Sequence, residues 1–172
     1  MIKKNVYDIT RFGVLTALAL ALAVTENLFF PNSLFPVPGM RLGLSNIVTL
    51  LVICLYGPVP AFAIVLGRSL LAFAFGGNLT AFVFSLVGGI AALLTMTLFC
   101  RFRRFSLFGI SMAGAAAHNI GQIIAAAVLT KTLSVAVYLP LLLLTSLFTG
   151  LLVAFLAIPV YHAVSKIRYD GS

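Results

Sequence analysis

The chain has 172 residues, 62% of them hydrophobic and 8% charged, with a mean hydropathy of +1.20. Soluble domains carry roughly a quarter charged residues, so this composition excludes a soluble globular domain and indicates an integral membrane protein. Eleven Lys and Arg against three acids give a formal charge of +8, but the basic residues punctuate apolar runs instead of sharing one wetted face, which argues against nucleic-acid binding.

A membrane span needs about 20 apolar residues, and six such runs follow one another. The first covers residues 9–30. Lys3, Lys4 and Arg11 precede it as in a signal peptide, but Glu26 and Asn27 follow with no small-residue cleavage site, so it reads as an uncleaved first helix. A Pro-rich loop over 31–40 leads to Pro36-Val37-Pro38-Gly39-Met40-Arg41-Leu42-Gly43-Leu44-Ser45-Asn46, where prolines and glycines end one helix and start the next. The second span, 41–56, is short enough for its outer end to sit in protein instead of lipid. Gly57-Pro58-Val59-Pro60 reads as a tight turn, and the third span is 61–75. Gly76-Gly77-Asn78 turns the chain into a fourth span, 79–100. Arg101-Phe102-Arg103-Arg104 is a break, and the fifth and sixth spans cover 107–129 and 135–162. The expectation is an all-α integral membrane protein, a single domain of six transmembrane helices.

Basic residues orient the bundle. With six spans, Lys3, Lys4, Arg11, Arg101, Arg103, Arg104, Lys166 and Arg168 fall on one face, while Arg41 and Lys131 fall on the other. The positive-inside rule then places both termini in the cytoplasm. In that orientation Glu26, Asn27, Arg41, Ser45, Asn46, Asn78, Thr80, Ser85, His118, Asn119 and Gln122 gather from the middle of the membrane outward, with Arg68 at mid-span. The inner halves hold almost nothing comparable. A cavity open to the outside and closed toward the cytoplasm is expected.

Arg68 is the sharpest of these residues, because a charge near the bilayer centre costs about 2.5–3.5 kcal/mol on insertion scales. It either pairs with Glu26, the one acid near that side, or snorkels outward, or, with Arg41, meets an anionic group on a ligand. His118 and Gln122 share a helix face four residues apart, with Asn119 one position round; the set is a pocket wall or a source of interhelical hydrogen bonds. Small residues repeat every four positions at Gly13, Ala17 and Ala21, and again at Gly109, Ala113, Ala117, Gly121 and Ala125. Such stripes let helices approach closely. Internal packing is expected for the second stripe; for the first, an external partner is the competing reading.

Other chemistries drop out. There is no Gly-x-x-x-x-Gly-Lys-[Ser/Thr] phosphate loop, so the chain cannot drive transport by its own ATP hydrolysis. There are no paired carboxylates, no Ser/His/Asp set and no metal cluster. With Asp8, Glu26 and Asp170 the only acids, a carboxylate-held magnesium site has no basis. Cys54 and Cys100 lie in separate apolar runs, far apart in sequence, and read as buried free thiols.

The segment Pro38-Gly39-Met40-Arg41-Leu42-Gly43-Leu44-Ser45-Asn46, with Tyr56-Gly57 and Leu66-Gly67-Arg68, resembles small bacterial membrane proteins labelled heptaprenyl diphosphate synthase component I or Gx transporter family. That family is in turn similar to the substrate-binding S components of energy-coupling factor (ECF) transporters. The resemblance implies a bacterial plasma-membrane protein with six helices. It would bind a small vitamin or a quinone or isoprenoid precursor from outside, and dock through Gly13, Ala17 and Ala21 onto a coupling subunit served by separate ATPases. Glu26, Arg41, Asn46, Arg68, Asn78, His118, Asn119 and Gln122 are the candidate substrate contacts, with no cofactor or metal. The other label implies a noncatalytic membrane partner of a prenyl diphosphate synthase, since the Asp-rich magnesium motifs of the catalytic enzyme are missing here.

Overall fold

A computed structural model of the chain describes residues 2–29, 40–102 and 104–170, with side chains over 7–29, 40–102 and 104–166. The expected loop over 31–40, apart from Met40, and Arg103 in the basic break lie outside the described residues. Among the described residues the architecture is all-helical: α1 (Ile2–Phe29), α2 (Asn46–Tyr56), α3 (Pro58–Ala74), α4 (Leu79–Arg101), α5 (Leu107–Thr130) and α6 (Leu139–Asp170), with a 3-10 helix, Leu133–Tyr138, before α6.

Four of these, α1, α4, α5 and the helical stretch ending in α6, are long and apolar enough to cross a membrane, whereas α2 and α3 are shorter. The expected six spans are therefore six helices, of which four have full spanning length. At about 1.5 Å per residue, the 11 residues of α2 reach roughly half the hydrocarbon thickness. Every residue of α2 from Asn46 to Ile53 is buried. A helix buried on all sides belongs to the protein core, so it need not match the bilayer.

The limits of α4 and α5 fall within a residue of those expected. Two others differ for identifiable reasons. Residues 41–45 are not helical, because Gly43 has φ +89 and the backbone N–H groups of Gly43 and Leu44 are turned toward Glu26 instead of entering a helix. The expected tight turn at 57–60 shrinks to Gly57 alone, since Pro58 and Pro60 sit in the first turn of α3. There a missing N–H costs no intrahelical bond. At the far end, Pro159 lies inside α6 and removes one rung of its ladder.

Close helix approaches hold α4, α5 and α6 together. A Cβ added to Gly121 would lie 3.0 Å from the Cα of Gly88, and one added to Gly150 would lie 2.6 Å from the Cα of Met112. Beside the second crossing, Ser111 Oγ donates to the Gly150 carbonyl at 2.7 Å. The fifth-helix stripe thus serves internal packing at its Gly121 and Ala125 end, both of which are buried. By contrast α1 is peripheral, with 17% of its apolar window buried. Its inward side carries Ala19, Ala23 and Glu26, while Gly13, Ala17 and Ala21 are exposed and nothing lies within 4 Å of a Cβ built on Gly13.

Candidate functional site

The non-helical segment 40–45 is the centre of a buried polar cluster, held from three helices. From α1, Glu26 is 2% exposed and accepts two backbone hydrogen bonds, from Gly43 N at 3.0 Å and Leu44 N at 2.8 Å. Charge-assisted bonds of this kind are roughly twice as strong as neutral ones. Gly43 is required twice over at this point. Its φ of +89 is strained for any other residue, and a Cβ would lie 2.8 Å from Asn46 Nδ2 and 3.1 Å from His118 Cδ2.

From α5, Gln122 Oε1 accepts from Arg41 N at 3.2 Å, and its Nε2 donates to the Arg41 carbonyl at 3.1 Å. These bonds assign the orientation of the Gln122 amide, since only its oxygen can accept from an N–H. Gln122 Nε2 also lies 2.8 Å from His118 Nε2. A donating amide makes that ring nitrogen the acceptor, so the proton of a neutral His118 is assigned to Nδ1, which faces Gly88 of α4.

From α3, Arg68 is 2% exposed and donates to Ser45 Oγ and, at 3.5 Å, to Asn46 Oδ1. Adjacent glycines of α4 make the space. A Cβ on Gly89 would lie 2.9 Å from Arg68 Nη2, and one on Gly88 would lie 2.9 Å from the His118 ring. Of the readings open for Arg68, a direct ion pair with Glu26 does not form. Both carboxylate oxygens of Glu26 are occupied by the amides of 43 and 44, and Arg68 instead takes the side chains of the next two residues. The two side chains hold one stretch of chain at successive residues, Glu26 at 43 and 44 and Arg68 at 45 and 46.

Structure thus brings together Glu26, Arg41, Asn46, Arg68, His118 and Gln122, and gives the other two candidates separate surroundings. Asn78 is exposed and caps α4, accepting from Ala81 N at 2.7 Å. Asn119 is buried but points to α6, donating to the Leu142 carbonyl at 2.7 Å. Sequence reasoning missed Gly88 and Gly89, whose available signal was a glycine pair in the middle of an otherwise apolar helix, a placement that costs about 1 kcal/mol per glycine without a packing reason.

The cluster carries more donors than it satisfies. Arg41 Nε, Asn46 Nδ2 and Arg68 Nε are buried without a hydrogen-bond partner, as is Thr49 Oγ1 just below. Two guanidinium groups face one carboxylate. Among the described residues the expected open cavity is not seen: Asn46, Arg68, His118 and Gln122 are packed in the interior, and Arg41 borders a narrow cleft with Ser69, Phe73, Gly77, Ala81 and Ser85. Ser69 and Ser85 hydroxyls meet across it at 3.2 Å.

Fold and cluster together define a multi-pass helical membrane protein built around a buried polar centre. Its fold is similar to that of the S component of a bacterial ECF transporter, with a TM-score of 0.63 over 92% of this chain and 95% of that one. Sequence identity is 19%, so the likeness is one of fold. The chain belongs to the heptaprenyl diphosphate synthase component I family, whose pattern matches residues 15–159. Among curated proteins, none matches it.

Proposed function

We propose that the chain is the substrate-binding membrane subunit of an uptake system, taking a small anionic molecule such as a vitamin or a quinone or isoprenoid precursor, with energy supplied by ATPases on separate chains. The observation that carries this reading is the surplus of buried donors on Arg41, Asn46 and Arg68. An unpartnered buried polar group costs about 1–3 kcal/mol, and more when charged. A ligand bringing acceptor oxygens recovers that cost. Both termini are cytoplasmic in this reading, and the exposed Gly13, Ala17 and Ala21 face of α1 receives a coupling subunit. The chain binds and does not catalyse.

The family's description supports a second reading, a noncatalytic membrane partner of heptaprenyl diphosphate synthase. The same donors suit a diphosphate group. Thermal-shift titration of the detergent-purified chain with small carboxylates, phosphates and a prenyl diphosphate tests the common element. Stabilisation by an anion and not by its neutral analogue, lost in Arg68→Met, is expected. Equal response to the neutral analogue would remove the anion site. Copurification then separates the two readings, a coupling subunit with ATPases supporting transport and a prenyl synthase supporting the second.

A further inference from the structure

Cys54 and Cys100 are 46 positions apart in sequence, yet their Sγ atoms lie 4.0 Å from one another. Both are free thiols, as expected, but they are partly exposed instead of buried, and the packing of α2 against α4 makes them neighbours. Cys54 lies in the last turn of α2, which ends at Tyr56, and Cys100 in the last turn of α4, which ends at Arg101. Both residues are partly exposed, and the chain passes at once into non-helical backbone at Gly57 and Phe102. Cys54 borders a shallow apolar crevice lined by Leu50, Leu51, Leu107, Ala157 and Tyr161. These are the only two cysteines of the chain, so an intramolecular partner is unambiguous.

We propose that Cys54 and Cys100 form an oxidisable dithiol, a covalent modification site whose co-reactant is a low-molecular-weight disulfide. One cysteine thiolate attacks the small disulfide, forming a mixed disulfide and releasing one small thiolate, which takes up the proton the cysteine lost. The second cysteine, deprotonated in turn, attacks the sulfur of the first, and the second small thiolate leaves with that proton. Two cysteine thiols are oxidised and one small disulfide is reduced to two thiols. The sulfur atoms lie 4.0 Å apart and close to about 2 Å on forming the bond. The product ties the ends of α2 and α4 together. This site stands apart from the polar cluster and does not depend on its function.

Oxidised glutathione added to the full-length chain in mild detergent tests this, followed by maleimide labelling under denaturing conditions and intact mass measurement. Wild type should end with no maleimide and no glutathione, and accept two maleimides after reduction. Cys54→Ser and Cys100→Ser should each stop at one glutathione or one maleimide. Closure in the folded chain should be faster than in chain unfolded in dodecyl sulfate by about tenfold or more, because the fold holds the reacting atoms together. Wild type carrying two glutathiones or two maleimides, or equal rates folded and unfolded, would overturn the proposal.

Discussion

Gln122 of α5 bonds both backbone groups of Arg41, accepting from its N–H at 3.2 Å and donating to its carbonyl at 3.1 Å. A single amide side chain thus treats Arg41 as a neighbouring strand would, in a protein whose described residues contain no strand. Because the backbone is fixed at both groups, the Arg41 side chain leaves from a defined point, and its buried position beside α3 and α4 follows.

Gln122→Leu should therefore leave the N–H and carbonyl of Arg41 buried and unpaired. A loss of about 1–3 kcal/mol for each group sets the scale. Gln122→Glu should fall between the variant and wild type, since it keeps an acceptor for the N–H but loses the donor to the carbonyl and to His118. Thermal unfolding in detergent measures both. An unchanged melting temperature in Gln122→Leu would contradict the arrangement.

The Glu26 and Arg68 arrangement gives a distinctive double-mutant result. In a direct ion pair, Glu26→Gln would rescue Arg68→Met by removing the stranded charge. Here Glu26→Gln weakens the hold on Gly43 and Leu44 whatever residue 68 is. The double variant should be less stable than either single one, measured by the same unfolding assay. Restoration of wild-type stability in the double variant would reinstate the ion pair.

Glycine substitutions should separate the cluster from the exterior. Gly88→Ala places a methyl group 2.9 Å from the His118 ring and Gly89→Ala one 2.8 Å from Val65, and overpacking of this kind costs about 1–3 kcal/mol. Gly13→Ala meets nothing within 4 Å and should leave stability in detergent unchanged or raise it by up to about 1 kcal/mol. The comparison fails if all three behave alike.

On the exposed side of α1, Ala17→Leu should fold normally and keep ligand-induced stabilisation, while uptake by cells, or copurification of a coupling subunit, is lost. Loss of binding together with uptake would show that the residue matters for folding instead.

Orientation is open to labelling in a chain whose own cysteines are replaced by serine. A cysteine at Lys131, the exposed cap of α5, should react with a membrane-impermeant thiol reagent on intact cells, and one at Ser106 should react only after lysis. The reverse pattern would invert the bundle.

Apolar run length and basic breaks were enough to locate α4 and α5, because those helices end where charge or turn residues do. The convergence of Glu26, Asn46, Arg68, His118 and Gln122 was also legible, as polar residues are costly enough in apolar runs to mark their own depth. What the sequence did not carry was partner choice. A pair between Arg68 and Glu26 was one of the open readings, but backbone amides of Gly43 and Leu44 compete for the carboxylate, and no composition argument counts backbone donors released by an irregular turn. Nor does spacing along the chain reveal that Cys54 and Cys100 meet, since that contact depends on the last turns of two helices ending at the same level.

Glu26 also makes α1 mechanically continuous with the interior. The helix lies against its neighbours over a narrow side only, yet two short bonds at 2.8 and 3.0 Å fasten it to the turn that presents Arg41 and Asn46. Slippage of α1 by one residue's rise, about 1.5 Å, would stretch those bonds past hydrogen-bonding range. The turn must then travel with the helix or let go of it. Either response converts a push on the outside of the bundle into a displacement at its polar centre, with Glu26 as the connecting rod.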